Sequence, residues 1–247
     1  MKNLNLVKRL LLTKFEFIKR SIGSVIAPRI CLACNTNKVS SDKACICIKC
    51  YSELPYTDHF ETKYINSVHE KFYGRFNIVF GAALFYFYPK GIVGGLIYNY
   101  KYKRKKYLGR FLSELICDSL DNCNFLPSFD LITCVPLHQK KLEHRGFNQS
   151  GIVAEYIANH LKVRVDTELM VKMVETASQT RKNRFQRLVN ISNSIVIPTE
   201  KIESIKAKHI LIIDDTLTTG ATIESCGQIL LKNGASNISV LCISQAV

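Results

Sequence analysis

The sequence predicts an α/β fold, a parallel β-sheet flanked by helices, with a small four-cysteine module in front of it. Three observations predict this. Short apolar runs at Leu131–Val135, Ile210–Ile213 and Ile238–Ile243 alternate with amphipathic stretches of helical length. Two Cys-x-x-Cys pairs, Cys31/Cys34 and Cys47/Cys50, stand close together near the start. The chain has 247 residues and is 47% hydrophobic, enough for one sizeable core plus an accessory module.

In chain order, residues 1–26 read as an amphipathic helix, because Leu4, Val7, Leu11, Phe15 and Ile18 recur every three or four positions. Residues 27–60 hold the cysteine module, residues 61–128 a connecting region, and residues 129–247 the main domain. Phe76–Tyr88 is rich in β-branched and aromatic residues and predicts a strand. Gly91–Leu120 predicts helix in two pieces, broken around the basic run Lys101 to Lys106. Phe147–Leu161 carries Phe147, Val153, Tyr156, Ile157 and Leu161 on one face and predicts a helix, with a short strand expected at Val163–Val165. Residues 172–194 are polar and cationic, with few core candidates. Thr222–Lys232 predicts a helix closed by Asn233-Gly234.

Composition narrows the function classes. A charged fraction of 22% is ordinary and excludes a disordered chain. Lys and Arg outnumber Asp and Glu by 34 to 20, a formal charge of +14, which favours anionic partners such as phosphates, nucleic acid or acidic lipid. Cysteines outside the N-terminal cluster sit in apolar surroundings, unlike a disulfide-rich secreted scaffold. No secretory signal is visible, and the longest apolar stretch, Ile78–Tyr88, falls short of the ~20 residues a membrane span needs. The expected location is the cytoplasm.

The two Cys-x-x-Cys pairs have structural-zinc spacing, since each pair can grip one tetrahedral metal with two thiolates. Cys31, Cys34, Cys47 and Cys50 are the expected ligands, and Cys45 could replace Cys47. Four protein ligands close such a site, so it folds the segment and does no chemistry.

The segment Asp214-Asp215-Thr216-Leu217-Thr218-Thr219-Gly220-Ala221-Thr222 follows an apolar strand and precedes a helix. Each part has a use. A helix start offers unpaired N–H groups and the positive end of the helix dipole to a phosphate. Gly220 lets the backbone come close, and Thr216, Thr218, Thr219 and Thr222 add hydroxyls. Asp214 and Asp215 can accept hydrogen bonds from adjacent ribose hydroxyls. Neither a Gly-Lys-Ser/Thr loop nor a Gly-x-Gly-x-x-Gly loop is present here.

This segment resembles the phosphoribosyl pyrophosphate motif of type I phosphoribosyltransferases. Joined to the cysteine module, to Val135-Pro136-Leu137-His138, to Arg145-Gly146-Phe147-Asn148-Gln149-Ser150 and to Tyr100-Lys101-Tyr102, the chain resembles the ComF family of competence-associated proteins from about residue 25 onward. Thr176-x-x-Gln179 and Arg187-x-x-Asn190 also match that family's pattern.

The resemblance implies a type I phosphoribosyltransferase-like sheet behind a zinc knuckle of double-zinc-ribbon type. It implies that Asp214 and Asp215 hold the ribose hydroxyls, that Thr218–Thr222, Ala221 included, cradle the 5-phosphate, and that magnesium bridges pyrophosphate and ribose oxygens. The strand end at Val135–Leu137, with Pro136, would form the pyrophosphate loop, and Arg145 belongs to the substrate-binding set. Residues 176–190 would be a mobile loop whose Arg181, Lys182, Arg184 and Arg187 stabilise charge on the departing pyrophosphate. The implied activity is magnesium-dependent pentosyl transfer, a glycosyltransferase reaction. The expected hood over the acceptor comes from the zinc knuckle and residues 51–128, which carry no readable base-binding pattern.

The family's association with natural transformation implies a second function class: a non-catalytic DNA-uptake factor that binds single-stranded DNA, a competence helicase or other uptake proteins. Tyr98, Tyr100, Lys101, Tyr102, Lys103, Arg104, Lys105, Lys106 and Tyr107 interleave aromatics with cations, which suits base stacking and backbone neutralisation.

Overall fold

The computed structural model describes residues 30–36, 39, 45–63, 65–172 and 195–247. The expected helix at 1–26 and the expected loop at 176–190, Arg187 included, lie outside the described residues. The chain forms two compact units, residues 1–53 and 54–247.

In the first unit, α1 (Ile48–Ser52) starts directly after Cys47, and Cys50 is its buried residue. Leu32 donates its backbone N–H to the Cys45 carbonyl at 3.0 Å, joining the two halves of the module.

The second unit opens with α2 (Ser67–Phe72), capped by Asn66, whose side chain accepts the N–H groups of Val68 and His69. Strand β1 (Gly81–Phe87) lies within the predicted Phe76–Tyr88 run. Helices α3 (Ile92–Tyr102) and α4 (Tyr107–Asp121) are the two predicted pieces. Val93, Leu96, Ile97 and Tyr100 form the buried stripe of α3, at the i, i+3, i+4, i+7 spacing of one helix face. Arg104, at φ +51°, breaks the path between the two helices.

Strand β2 (Leu131–Cys134) is followed by α5 (Gln139–Arg145), which the sequence reading did not anticipate, and by α6 (Gln149–Leu161). Gly146, at φ +79°, provides the sharp turn between these two helices. The strand expected at Val163–Val165 is reduced to a single bridge between Val165 and Ile132. Strands β3 (Val171–Lys172) and β4 (Ile195–Val196) pair antiparallel, and a 3-10 helix covers Thr199–Ile205. Strand β5 (His209–Leu217), α7 (Ala221–Lys232) and β6 (Asn237–Ala246) complete the unit. Asn233-Gly234 ends α7 as expected, with Gly234 at φ +99°.

The main sheet has the order β1-β6-β5-β2, and every pairing in it is parallel. Within the expected hood and connecting region, residues 61–128, the predicted strand is thus an edge strand of that sheet. Ile210, Leu211, Ile212 and Ile213 of β5 are fully buried, as a central strand covered on both faces requires. Burying one such side chain contributes about 1.5–3 kcal/mol, and cutting Ile212 back to alanine should cost about 2–5 kcal/mol.

Helix α6 packs on β2, β5 and α4, whereas α7 packs on β4, β5 and β6. Ile210 and Ile212 share the core of Ile223, Cys226 and Leu230 from α7; Leu211 and Ile213 do not. Side chains alternate across a strand, so α6 and α7 cover opposite faces. The chain thus leaves β2 on one face and β5 on the other. Parallel sheets bind ligands at such a point, outside the carboxyl ends of the two strands.

Candidate functional site

Pairing of β2 with β5 ends at Cys134 opposite Ile213, whereas β5 stays paired with β6 as far as Leu217. Asp214 is the first residue of β5 beyond its β2 partner. The sequence reading ended the strand at the two carboxylates. The strand runs through them, because β6 supplies hydrogen bonds along its length, and only the β2 side opens.

Asn148 builds one wall of this opening. Its Oδ1 caps α6 by accepting the Ser150 N–H at 3.1 Å, and its Nδ2 donates to the Val135 carbonyl at 3.1 Å. The start of α6 is thereby held against the end of β2. Ser150 then donates its hydroxyl to Asp214 Oδ1 at 3.2 Å, and the Asp215 N–H donates to the same oxygen at 2.8 Å. Burial and the neighbouring Asp215 push the Asp214 carboxyl up, to about 7; those two donors and Lys101 pull in the other direction.

Asp215 is buried, and its Oδ1 lies 2.8 Å from Lys101 Nζ. Lys101 is where the sequence reading departs furthest from the structure. Expected among aromatics and cations suited to nucleic acid, it is an internal counterion of the acidic pair. Tyr100, from the same stripe, is fully buried and donates its hydroxyl to the Gln149 carbonyl at 2.9 Å. Tyr98, Tyr102 and Tyr107 are exposed as expected. Arg104 donates to the His144 carbonyl, and the Lys106 ammonium stands 5.4 Å from the Phe147 ring.

Arg145, expected to bind substrate, is buried and donates to Gln149 Oε1 at 3.0 Å while lying 5.5 Å from the Tyr102 ring centre. Among the described residues no carboxylate forms an ion pair with it. A buried guanidinium without a carboxylate is costly unless an anion joins it. Gln149 Nε2 is likewise buried with no acceptor among the described residues.

The turn after β5 has the expected form. Gly220 is buried, sits at φ +78° and begins α7, whose first residue is Ala221. A Cβ at Gly220 would stand 2.8 Å from Phe72, so the backbone here approaches α2 closely. Thr218, Thr219 and Ala221 are exposed, Thr222 is partly so, and the Thr216 hydroxyl meets that of Ser244 at 3.3 Å. The first N–H groups of α7 thus lie beside side-chain hydroxyls, and that of Ala221 donates to Thr219 Oγ1 at 3.5 Å.

Arg75 was not anticipated. Its guanidinium donates to the Thr219 carbonyl at 2.9 Å and pairs with Glu224 at 3.2 Å, so it adds a cation beside the turn. It follows α2, in a region without a recognisable pattern, and no local signal could have revealed it.

Pro136 follows Val135, whose N–H donates to the Ile213 carbonyl at 3.0 Å. It lines a cavity of about 570 Å³ with Leu137, Asn148, Thr167 and Lys172; none of Asp214–Thr222 borders that cavity.

In the first unit, the thiol sulfurs of Cys31, Cys34, Cys47 and Cys50 all lie within 4.8 Å of one another. Tetrahedral zinc at about 2.3 Å from each sulfur requires roughly 3.8 Å between sulfurs, so the group fits one such ion. Among the described residues, Cys47 and not Cys45 completes the group. Burial and hydrogen bonding among the four push the Cys50 thiol well up, so the cluster needs a cation to hold thiolates at neutral pH.

A glycine turn that opens a helix and an acidic pair, both at the switch point of a parallel sheet, fit the type I phosphoribosyltransferase fold. The phosphoribosyl transferase domain family matches residues 150–245. The DNA utilization protein YhgH of Escherichia coli O6:H1 is 29% identical over 155 residues, covering 62% of this chain and 66% of that protein. Competence protein F of Haemophilus influenzae is 23% identical over 61% of this chain and 67% of its own length. Competence protein ComFC of Bacillus subtilis is 32% identical over 42% of this chain and 40% of its own length. The alignments thus span at most about two-thirds of these relatives. These similarities, together with the phosphoribosyl transferase domain match, support the resemblance to the ComF family.

Proposed function

We propose that the chain binds phosphoribosyl pyrophosphate with magnesium at Asp214–Thr222 and acts in the cytoplasm in DNA uptake during natural transformation. One observation carries the reading: the acidic pair and the helix-opening turn adjoin at the point where β2 ends beside β5. Carboxylates that accept sugar hydroxyls and amides that bind phosphate then flank one opening. The DNA-utilization and competence names of the relatives support the biological role.

Magnesium would arrive on the ligand's phosphates. Asp214 and Asp215 belong to no group of three or more metal-ligating side chains among the described residues, and this ion keeps phosphate and water ligands. In a pentosyl transfer, its chemistry would be to neutralise the departing pyrophosphate, and Arg145 is the buried cation suited to the same anion. Zinc on Cys31, Cys34, Cys47 and Cys50 would be structural.

Calorimetric titration with phosphoribosyl pyrophosphate and magnesium tests the reading. Binding that Asp214→Asn weakens by about tenfold or more supports it. A wild-type chain that shows neither binding heat nor a raised melting temperature defeats it.

A second, non-catalytic reading has its own support. Tyr98 and Tyr102 are exposed, their rings lie 5.3 Å apart, and Lys103 stands 6.0 Å from the Tyr98 ring. That surface suits stacking and phosphate neutralisation on single-stranded DNA, or a helicase partner. A salt titration of oligothymidylate binding, comparing wild type with Tyr98→Ala/Lys103→Ala, should show a steep slope that the variant reduces. A flat salt response would remove this reading.

A further inference from the structure

Tyr100, Lys101 and Tyr102 close α3, and each meets a different partner. The Tyr100 hydroxyl is bonded to the Gln149 carbonyl, and a Cβ on Gly109 would come within 2.5 Å of that hydroxyl. Helix α4 therefore closes tightly over it. Tyr102 lies against the Arg145 guanidinium. Between the two tyrosines, Lys101 directs its ammonium to Asp215 Oδ1 at 2.8 Å, and the two side chains are 18% and 12% exposed.

A lysine side chain loses much rotamer freedom when it is fixed. Here the buried, hydrogen-bonded Tyr100 holds the backbone next to Lys101, so the ammonium is delivered to one place. A carboxylate has two oxygens and about four acceptor sites. Lys101 takes Oδ1 of Asp215, and Oδ2 has no partner among the described residues.

We propose that Lys101 is a positioning residue of the sugar site: it occupies one oxygen of Asp215 and fixes the other oxygen to receive a ligand hydroxyl. This rests on the phosphoribosyl reading of Asp214–Thr222. It gives Lys101 a role distinct from nucleic-acid contact, and it predicts discrimination between a sugar phosphate and phosphate alone. The turn at Gly220 needs no help from Lys101 to bind phosphate. The hydroxyl contact does.

The test titrates the full chain calorimetrically with two probes, ribose 5-phosphate and inorganic phosphate. Lys101→Met should lower ribose 5-phosphate affinity by about tenfold or more while phosphate affinity stays within about twofold, and Lys101→Arg should recover most of the loss. Asp215→Asn and Lys101→Met/Asp215→Asn should bind alike, because Lys101 acts through Asp215. That double variant leaves no Asp215 carboxylate without its counterion and carries the comparison should Lys101→Met fail to fold. Unchanged ribose 5-phosphate affinity in Lys101→Met, or equal losses for both probes, overturns the inference alone. A double variant weaker than Asp215→Asn also overturns it, by making Lys101 a direct ligand contact. Wild type that binds neither probe overturns the phosphoribosyl reading, and the inference with it.

Discussion

Ser150 donates its hydroxyl to Asp214 Oδ1 across 3.2 Å, and this contact joins two blocks that lie 64 residues apart in the chain. It places the start of α6 against the carboxyl end of β5 and helps hold the proton balance of Asp214, whose carboxyl is already pushed up by burial and by Asp215.

Ser150→Ala removes one of the two donors on that oxygen. The Asp214 carboxyl should then rise further, and less of it is ionised at neutral pH. Ribose 5-phosphate affinity at neutral pH should fall about three- to tenfold, while folding stability changes by roughly 1 kcal/mol. Calorimetry and urea unfolding together check both halves.

Asp214 also predicts a pH signature of stability. Its carboxyl titrates near 3.8 ordinarily and near 7 in the folded protein. Between those values the folded chain holds a proton that the unfolded chain has released. Stability contributed by Asp214 is thus complete in acid and is lost as pH rises through that window. Asp214→Asn cannot lose it. The variant's unfolding free energy relative to wild type should climb from about pH 4 to about pH 7 and then level off. A pH-independent difference in urea unfolding would contradict the shift.

Two glycines separate backbone strain from crowding. Gly220 and Gly74 both have positive φ, but only a Cβ at Gly220 meets a neighbour, Phe72, at 2.8 Å. Gly74→Ala should cost about 1 kcal/mol, from backbone conformation alone. Gly220→Ala should cost about 2–4 kcal/mol and should weaken phosphate binding as well, because the turn must shift. Equal costs at the two sites would show that α2 yields freely.

Metal content distinguishes the cysteines. Cys47→Ser should lose zinc from the purified chain, and Cys45→Ser should keep about one zinc per chain. Elemental analysis by mass spectrometry reads this directly. Retention by Cys47→Ser together with loss by Cys45→Ser would reverse the assignment.

Much of the architecture was legible because its signals are local. The Ile210–Ile213 run has to be a buried strand, and both Gly220 and Gly234 mark the helix ends that their positive φ values require. The break between α3 and α4 fell where the basic run interrupts the apolar stripe. The helix at Gln139–Arg145 was missed because it buries only Arg145, so no apolar period announces it. Asp214 and Asp215 were assigned from residue type and position, but not the different partner each one meets.

By itself, the sequence determined the strands of the main sheet, most of the helices, the four-cysteine module and the turn that opens α7, since burial period, ligand spacing and backbone freedom are written in neighbouring residues. Tertiary structure alone decided that Lys101 faces Asp215, that Ser150 faces Asp214 and that Arg75 reaches Thr219. These are contacts between segments distant in the chain. They follow from the order of strands in the sheet and from helices packing on its two faces, and no local pattern encodes either.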